Sequence, residues 1–342
     1  MGVQISEIIP RKAIELSDLK GKVIAIDAFN TLYQFLTTIR QVDGTPLMDK
    51  KGKITSHLSG LFYRNINLLK EGIKPIYVFD GKPPELKAKE IESREKAKEK
   101  AKENYEQAKA KEDIESMRKY SAQTVHINDE IINESKDLLK AFGIPVLESN
   151  SEGEAEAAHI VRQGFAWASA SQDYDSLLYG TPKLIRNLTL SRKRKTPAGY
   201  VDTEIEMIEF QRLIDHLQIN QDQLICLGIL VGTDFNPGGV RGIGQKRALE
   251  IVQKWKYPVK IFDYMEQSGR YSIDFDWKAI YKEFHEFKPR TREEPKFEKI
   301  DEEKIKQLLL SKDFSEDRIN SGLEKLREIK EKQKQKGLGE FL

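Results

Sequence analysis

The stretch Lys22-Val23-Ile24-Ala25-Ile26-Asp27 contains the pattern that decides the fold, a short β-branched apolar run that ends in a carboxylate. Further apolar runs of this kind occupy residues 75–79, 144–147 and 165–169. Continuous apolar runs of this length indicate parallel strands that are buried on both faces. Segments with helical periodicity, at 56–70 and 130–142, lie between them. Strands that alternate with helices predict an α/β fold with a central, mostly parallel sheet flanked by helices.

Acidic side chains follow the predicted strands or begin the helix after one of them, and one more, Asp234, follows a predicted helix. The seven acidic residues in such positions are Asp27, Asp80, Glu152, Glu154, Asp173, Asp175 and Asp234. Because the carboxyl ends of parallel strands meet at one edge of a sheet, we expect these side chains to converge there. Taken singly, an Asp after a strand is more typical of a turn or a helix cap. The joint occurrence is what favours a shared site.

Clustered carboxylates repel one another unless protons or cations neutralise them. Oxygen ligands without His or Cys partners select Mg²⁺ or Mn²⁺ over zinc, and the five histidines show no metal-ligand spacing. Seven carboxylates exceed what one ion needs, so we predict two Mg²⁺ ions, for which Mn²⁺ can substitute. Such a pair suits phosphodiester hydrolysis, and the residues alone indicate a metal-dependent hydrolase or a phosphotransferase.

Residues 82–120 interrupt the alternation of strands and helices. They are rich in Lys and Glu and have few large apolar side chains, which predicts an inserted helical arm. Lys87 and Arg94 lie seven residues apart, two helical turns along one face, where they could hold a scissile phosphate. The alternative is an ordinary solvated face of a charged helix.

Two glycines precede a basic helix in the segment that follows Asp234. Gly242 and Gly244 come before Lys246 and Arg247, and backbone amides at such a helix start can hold a DNA phosphate without reading bases. We predict a helix-hairpin-helix-like duplex anchor; an ordinary glycine-rich turn is the alternative. Because the glycines follow a helix rather than a strand, a dinucleotide site is disfavoured.

Two expectations concern the segment before this anchor. Residues 191–199 should form a basic loop, and the chain should be helical from residue 203 onward.

The last residues combine a glutamine with apolar side chains at the spacing of one helical turn. These residues are Gln335, Leu338, Phe341 and Leu342. A tail that exposes apolar side chains gains nothing in folding without a partner, so a docking role is predicted. Packing of the tail on its own domain is the alternative.

The composition excludes several classes of protein. The chain has 342 residues, a single cysteine (Cys226) and 57 basic against 55 acidic residues. A disulfide framework is impossible, and an intracellular, soluble protein that does not bind membranes is expected. The net charge of +2 does not exclude nucleic acid, because strong segregation of sign can hide in a small sum.

Taken together, the motifs resemble those of the structure-specific 5′ nuclease family, and specifically archaeal flap endonucleases. The motifs that carry the resemblance are Met1-Gly2-Val3, Asp80-Gly81-Lys82-Pro83-Pro84, Glu152-Gly153-Glu154-Ala155-Glu156-Ala157, Gln172-Asp173-Tyr174-Asp175, Gly232-Thr233-Asp234-Phe235, Arg241-Gly242-Ile243-Gly244 and the tail.

The resemblance implies a PIN-like nuclease fold in which the seven acids hold two Mg²⁺ ions and Lys87 and Arg94 contact the scissile phosphate. It implies that Tyr33 stacks on a base near the cut, and that residues 82–129 form an arch through which a free 5′ end threads. It further implies a K⁺ ion at the duplex anchor, and a region for a one-nucleotide 3′ flap at Phe314 and Arg318. The tail would bind the sliding clamp (PCNA).

The implied function is removal of 5′ flaps from branched duplex DNA in Okazaki-fragment maturation and repair, with 5′-3′ exonuclease activity, by a monomer in the cytoplasm of an archaeal cell. Two alternatives are a related 5′ exonuclease or bubble-cutting nuclease, and a non-catalytic DNA-binding adaptor for the clamp.

The implied organisation is one nuclease domain, residues 1–330, followed by a flexible tail, 331–342. The parts of that domain are the N-terminal region 1–105, the gateway and arch 82–129, the internal region 130–258 with the anchor near 224–254, and the C-terminal helical region 259–330.

Overall fold

A computed structural model describes residues 2–189, 193–196 and 199–339, with side chains at 2–189 and 203–328. The described strands are β1 (Lys12–Ile14), β2 (Val23–Asp27), β3 (Lys74–Phe79), β4 (Val146–Glu148), β5 (Ala168–Ala170), β6 (Lys183–Arg186), β7 (Lys193–Thr196), β8 (Gly199–Asp202) and β9 (Ile205–Glu209). Seven of them form one sheet in the order β1-β9-β6-β5-β2-β3-β4. The five strands from β6 to β4 are parallel, and β9 runs antiparallel to both of its neighbours, β6 and β1, so that β1 has the same direction as the five. The predicted mostly parallel sheet is therefore confirmed.

Helices cover both faces of the sheet. The described α-helices are α1 (Ala28–Thr38), α2 (Ser56–Lys70), α3 (Ala88–Ala110), α4 (Ile114–Gln123), α5 (Asp129–Ala141), α6 (Gly153–Arg162), α7 (Asp175–Leu178), α8 (Phe210–Leu217), α9 (Gln221–Val231), α10 (Gln245–Trp255), α11 (Pro258–Gln267), α12 (Trp277–His285), α13 (Glu302–Leu310) and α14 (Glu316–Gly339). The predicted arm consists of α3 and α4, which pack on each other. No described helix is long and apolar enough to cross a membrane.

The side chains of β2 show how the sheet divides the apolar core. Ile24 and Ile26 belong to the core formed with α1, α2 and α14, whereas Ala25 packs with Ala157 and Ile160 of α6. A third cluster joins β6 and β9 to α9–α12. The sheet therefore lies between separate apolar cores. The carboxyl ends of its strands, where the acidic residues are, lie where these cores meet.

Two expectations from the sequence are wrong. Residues 205–209 form strand β9 before the chain becomes helical at Phe210, because β9 pairs with both β1 and β6 and so buries Ile208 completely. The predicted basic loop at 191–199 contains strand β7, which pairs with β8 from Lys193 opposite Asp202 to Thr196 opposite Gly199. Pairing with distant strands overrides the local pattern at β9, whereas β7 and β8 form a local antiparallel hairpin.

Candidate active site

Four of the predicted acids lie at the carboxyl ends of neighbouring parallel strands. Asp27 is the last residue of β2, Asp80 follows β3, and Asp173 and Asp175 follow β5. Because β2 pairs with both β3 and β5, the three strand ends adjoin. The predicted convergence of these acids is confirmed.

The other three acids come from helices that end or begin at the same edge. Glu152 is the N-cap of α6, Glu154 lies in the first turn of that helix, and Asp234 follows α9. Burial first, and then the charges of Asp175 and Asp27, raise the pKa of Glu154. The charges of Glu152 and Asp234 likewise contribute to the raised pKa of Asp80, after burial. All seven predicted acids therefore belong to one cluster.

Ser171 links the Asp27 and Glu154 carboxylates. Its hydroxyl oxygen lies 2.6 Å from Oε1 of Glu154 and 3.3 Å from Oδ2 of Asp27. Asp27 also caps α1, because its Oδ1 accepts the backbone N–H of Asn30 at 3.0 Å. One residue thus ends the strand, begins the helix and contributes to the acidic cluster.

The N-terminal residues hold the two aspartates that follow β5. The backbone N–H of Gly2 donates to Oδ1 of Asp173 at 3.0 Å, and that of Val3 donates to Oδ1 of Asp175 at 2.7 Å. The Nδ2 group of Asn30 donates to the other Asp173 oxygen at 3.0 Å. A Cβ on Gly2 would lie 2.7 Å from the Cβ of Asp173, so only glycine allows this approach.

Lys87 reaches from the arm into the acidic cluster. Its Nζ lies 2.5 Å from Glu152 and 3.2 Å from Asp234, and 5.7 Å from the ring centre of Phe235. Arg94 contacts the same Asp234 oxygen at 3.1 Å. Burial by itself would lower the pKa of Lys87, but the neighbouring carboxylates outweigh burial and raise it. The ammonium group therefore stays charged and neutralises part of the cluster.

The remaining negative charge explains why the site suits divalent cations. Burial first, and neighbouring carboxylates second, raise the pKa of Asp27 to about 8 and those of Asp80 and Asp175 to about 7. Within the described part of the chain, no three His, Cys, Asp or Glu side chains stand in a ready-made metal-binding arrangement. The fit is one of donor chemistry and charge: hard oxygen donors that repel one another gain stability when a cation replaces their protons.

Several residues of the site escaped the sequence analysis. Asn30 and the backbone of Gly2 bond to Asp173 from positions 143 and 171 residues away, and Ser171 bonds to Glu154 from 17 residues away. The hydroxyl of Tyr179 is buried without a hydrogen-bond partner among the described residues. Glu283 of α12 is a further acid near the cluster, because burial and then Glu152 raise its pKa. Apart from Gly2, which lies in the Met1-Gly2-Val3 motif, no local sequence signal distinguishes these residues.

Tyr33 lies on the helix that Asp27 begins. It is six residues along α1, about 9 Å along the helix axis, and it is 47% exposed. Its ring is therefore accessible near the acidic cluster.

The predicted duplex anchor is a turn between two packed helices, α9 and α10. Gly242 adopts φ +82°, which favours glycine, and Gly244 is the N-cap of α10. A Cβ on either glycine would meet nothing within 4 Å, so the backbone there is open to a ligand. Lys246 and Arg247 are exposed in the first turn of α10. Lys246 forms a long ion pair with an acidic residue, and Arg247 pairs with an acidic residue of its own helix.

Arg318 lines a groove between α2 and α14, whereas Phe314 packs against the adjacent core. The groove has a volume of about 470 Å³, and the sequence analysis missed most of its lining. Its lining residues are Tyr63, Ile66, Asn67, Lys70, Asp317, Arg318, Ser321, Gly322 and Lys325.

The tail residues can be followed only in part. Gln335 and Leu338 belong to α14, but their side chains lie outside the described residues, and Phe341 and Leu342 lie outside them entirely.

Comparison with known proteins agrees with this arrangement. The chain matches the XPG N-terminal domain over residues 1–101 and the XPG I-region over residues 143–234. It is similar to the catalytic core of Rad2 in complex with DNA substrate, with a TM-score of 0.67 at 20% identity over 92% of this chain and 95% of that one. Fold and acidic edge together define an XPG-type nuclease.

Close relatives narrow the class. Flap endonuclease 1 of Pyrococcus furiosus is 52% identical over 342 residues, covering 99% of this chain and 98% of that protein. Flap endonuclease 1 of Pyrococcus abyssi is 52% identical over 96% of this chain and 94% of that protein. The structure of flap endonuclease-1 from Methanococcus jannaschii matches with a TM-score of 0.72 and 40% identity, covering 96% of this chain and 98% of that one. The chain belongs to the flap endonuclease family.

Proposed function

We propose that this nuclease removes 5′ flaps from branched duplex DNA by two-metal-ion phosphodiester hydrolysis, and that it also acts as a 5′-3′ exonuclease. It would work as a monomer in Okazaki-fragment maturation and repair. The single observation that carries the proposal is the cluster of seven carboxylates at one sheet edge, into which the arm inserts Lys87.

The seven clustered acids would hold the metal ions directly or through water. When bound, two Mg²⁺ ions activate the attacking water and stabilise the leaving oxygen, and Mn²⁺ can replace them. Ser171, Asn30 and the N-terminal amides orient the carboxylates through the bonds described above. Such supporting bonds hold ligands in position before the substrate arrives.

Lys87 and Arg94 would bind the scissile phosphate. Both side chains now pair with Asp234, and Lys87 also pairs with Glu152. A phosphate in the site offers these cations an anionic partner, and their transfer to it would leave the carboxylates free for the ions. The same two side chains would then balance the charge that develops on the phosphate.

Tyr33 would stack on the base next to the cut, since its exposed ring lies on the helix that Asp27 begins. The arm of α3 and α4, within residues 82–129, would form the arch through which a free 5′ end threads. A 5′ end that enters through the arch would therefore pass along α3, which begins after Lys87 and contains Arg94.

The duplex on one side of the junction would rest on the turn before α10. Gly242 and Gly244 leave the backbone amides open to a phosphate, and Lys246 and Arg247 supply positive charge. A K⁺ ion at this turn would join the backbone to the phosphate.

The groove between α2 and α14 would receive a one-nucleotide 3′ flap. Lys70, Arg318 and Lys325 give it positive charge, and Tyr63, 45% exposed, offers a ring for stacking. Phe314 would support the groove from the adjacent core.

The tail would bind the sliding clamp through Gln335, Leu338, Phe341 and Leu342. Deletion of residues 335–342 should abolish clamp binding in a pull-down assay and leave clamp-free cleavage intact. A large loss of clamp-free cleavage would contradict a docking role.

The deciding experiment is cleavage of a double-flap substrate with the cut mapped to the nucleotide. We expect a Mg²⁺-dependent cut at the base of the 5′ flap, and slower cleavage of a blunt duplex and of a bubble. Asp175→Asn should lose cleavage and retain DNA binding. A preference for the bubble would favour the related bubble-cutting activity, and tight binding without cleavage would favour an adaptor.

A further inference from the structure

The motif that supplies Glu152 and Glu154 contains a third glutamate that the proposed metal site does not use. Glu156 is fully buried, with 0% of its surface exposed, and it lies one turn after Glu152 on α6. A buried carboxylate is unfavourable unless hydrogen bonds compensate for its lost hydration. Its partners therefore indicate what it is for.

Both carboxylate oxygens of Glu156 accept backbone N–H groups from a distant segment. The N–H of Arg290 donates to Oε2 at 2.9 Å, and the N–H of Thr291 donates to Oε1 at 2.7 Å. These two residues belong to the strap, which we define as residues 286–301 between α12 and α13. The strap contains no helix or strand, so side chains must satisfy part of its backbone.

Other contacts fasten the strap to the same helix and to the loop before it. Nδ2 of Asn150 donates to the carbonyl of Lys288 at 3.0 Å, and Nε2 of His159 lies 3.1 Å from the carbonyl of Thr291. Glu152, Glu156 and His159 share one face of α6 by their i, i+4, i+7 spacing. The strap therefore holds the helix face that begins at Glu152.

The opposite side of the Glu152 loop is held by the end of β3. The N–H of Gly81 donates to the carbonyl of Ser151 at 2.7 Å, and that of Gly153 donates to Asp80 at 2.7 Å. A Cβ on Gly81 would lie 2.2 Å from the carbonyl oxygen of Ser149. The loop that delivers Glu152 is thus clamped between the sheet edge and the strap.

We propose that Glu156 is a positioning residue: by binding the strap, it fixes the rotation of α6 and so directs Glu152 and Glu154 toward the metal ions. Release of the strap would let α6 turn about its axis and move both carboxylates together. The inference rests on the proposed function, because it takes Glu152 and Glu154 as metal ligands. It also makes the strap the connection through which the C-terminal helices support the catalytic edge.

The test is metal binding in the absence of DNA, measured by calorimetric titration with Mn²⁺. Glu156→Gln keeps the side-chain volume but replaces one acceptor oxygen with an N–H₂ group, so one strap amide loses its partner. We expect about tenfold weaker Mn²⁺ binding, together with faster hydrogen exchange in residues 288–292 and 150–156. Glu316→Gln is the control, because Glu316 pairs at the surface with Lys306, which lies outside the strap; it should bind Mn²⁺ like the unaltered chain.

Two further variants separate the possible failures. If Glu154→Gln binds Mn²⁺ as tightly as the unaltered chain, the ligand assignment fails, and the proposed function fails with it. If Glu154→Gln weakens binding but Glu156→Gln loosens the strap without changing Mn²⁺ affinity, the positioning role alone is overturned. Should Glu156→Gln not fold, Asn150→Ala removes the Lys288 bond and spares the buried carboxylate; about threefold weaker Mn²⁺ binding is expected, and unchanged binding would refute the inference.

Discussion

At Lys87 a single ammonium group stands among carboxylates that repel one another. Lys87→Met keeps an unbranched apolar stem and removes the charge. We expect single-turnover cleavage to slow about 10²-fold, because charge on the phosphate is no longer balanced. Mn²⁺ binding without DNA should tighten, because the competing ammonium is gone. Lys89→Met, at an exposed position two residues along, is the control; weaker Mn²⁺ binding in Lys87→Met would contradict this account.

Three aspartates of the cluster predict how pH and metal act together on stability. Without metal, burial and neighbouring charge raise the pKa of Asp27 to about 8 and those of Asp80 and Asp175 to about 7, against ordinary values of about 4. Between about pH 4 and 8 the folded chain binds more protons than the unfolded chain, so stability from these groups is present at low pH and lost as pH rises.

Mg²⁺ competes with those protons. We therefore expect the rise in Tm on adding Mg²⁺ to be larger at about pH 8.5 than at about pH 6, in thermal unfolding against an EDTA reference. Asp27→Asn should reduce the difference between the two pH values. A Mg²⁺ effect that shrinks as pH rises would show that these carboxylates do not bind the metal.

At the scale of elements, helix α4 of the arm interlocks with the loop that follows α1. Arg40 donates to the carbonyl of Gly44 at 2.7 Å and to the hydroxyl of Ser121, and Ser121 donates to the same carbonyl at 2.7 Å. Arg118 donates to the carbonyl of Val42. These contacts set the position of α4 relative to the helix that carries Tyr33.

The loop after α1 comes closest to α4 at Gly44. It adopts φ +89°, and a Cβ there would lie 2.7 Å from the Cα of Arg118. We expect Gly44→Ala to displace α4, to speed its hydrogen exchange and to slow flap cleavage about tenfold through loss of the arch position. Gly52→Ala is the matched control, because Gly52 has φ +76° but nothing within 4 Å of a Cβ. Equal effects of both substitutions would assign the loss to backbone strain alone.

The same elements show how far the sequence could predict the structure. Strands β2 and β3 and helices α2 and α5 follow from local patterns, because a buried strand needs a continuous apolar run and a surface helix needs an apolar stripe. Strand β9 does not, because Ile205, Met207 and Ile208 suit either period and only pairing with β1 and β6 decides. The acids were predictable from strand ends, whereas the Gly2 bond to Asp173 joins residues 171 positions apart.

For the whole molecule, the sheet separates the core beneath the duplex anchor from the core beneath the α2–α14 groove. The acidic edge lies at their junction, so the two proposed DNA contacts belong to different parts of the fold. The charge balance fits this division: with seven acids confined to one pocket, 57 basic residues face 48 other acidic ones. The net charge of the whole chain is therefore close to zero because the negative charge of the acidic centre offsets the positive charge of the other residues.

The salt dependence of DNA binding tests that division. Lys246→Ala with Arg247→Ala removes two exposed cations of the anchor. We expect the slope of log affinity against log salt concentration to fall by about 1.8, since each phosphate contact contributes about 0.9, while single-turnover cleavage of saturated enzyme stays within about twofold. The control is Lys278→Ala with Lys282→Ala, at two exposed positions on α12. It removes the same amount of positive charge from a second helix that packs on the same apolar core as α10. If both pairs lower the slope equally, the duplex responds to overall charge, and the turn before α10 is not a specific phosphate contact.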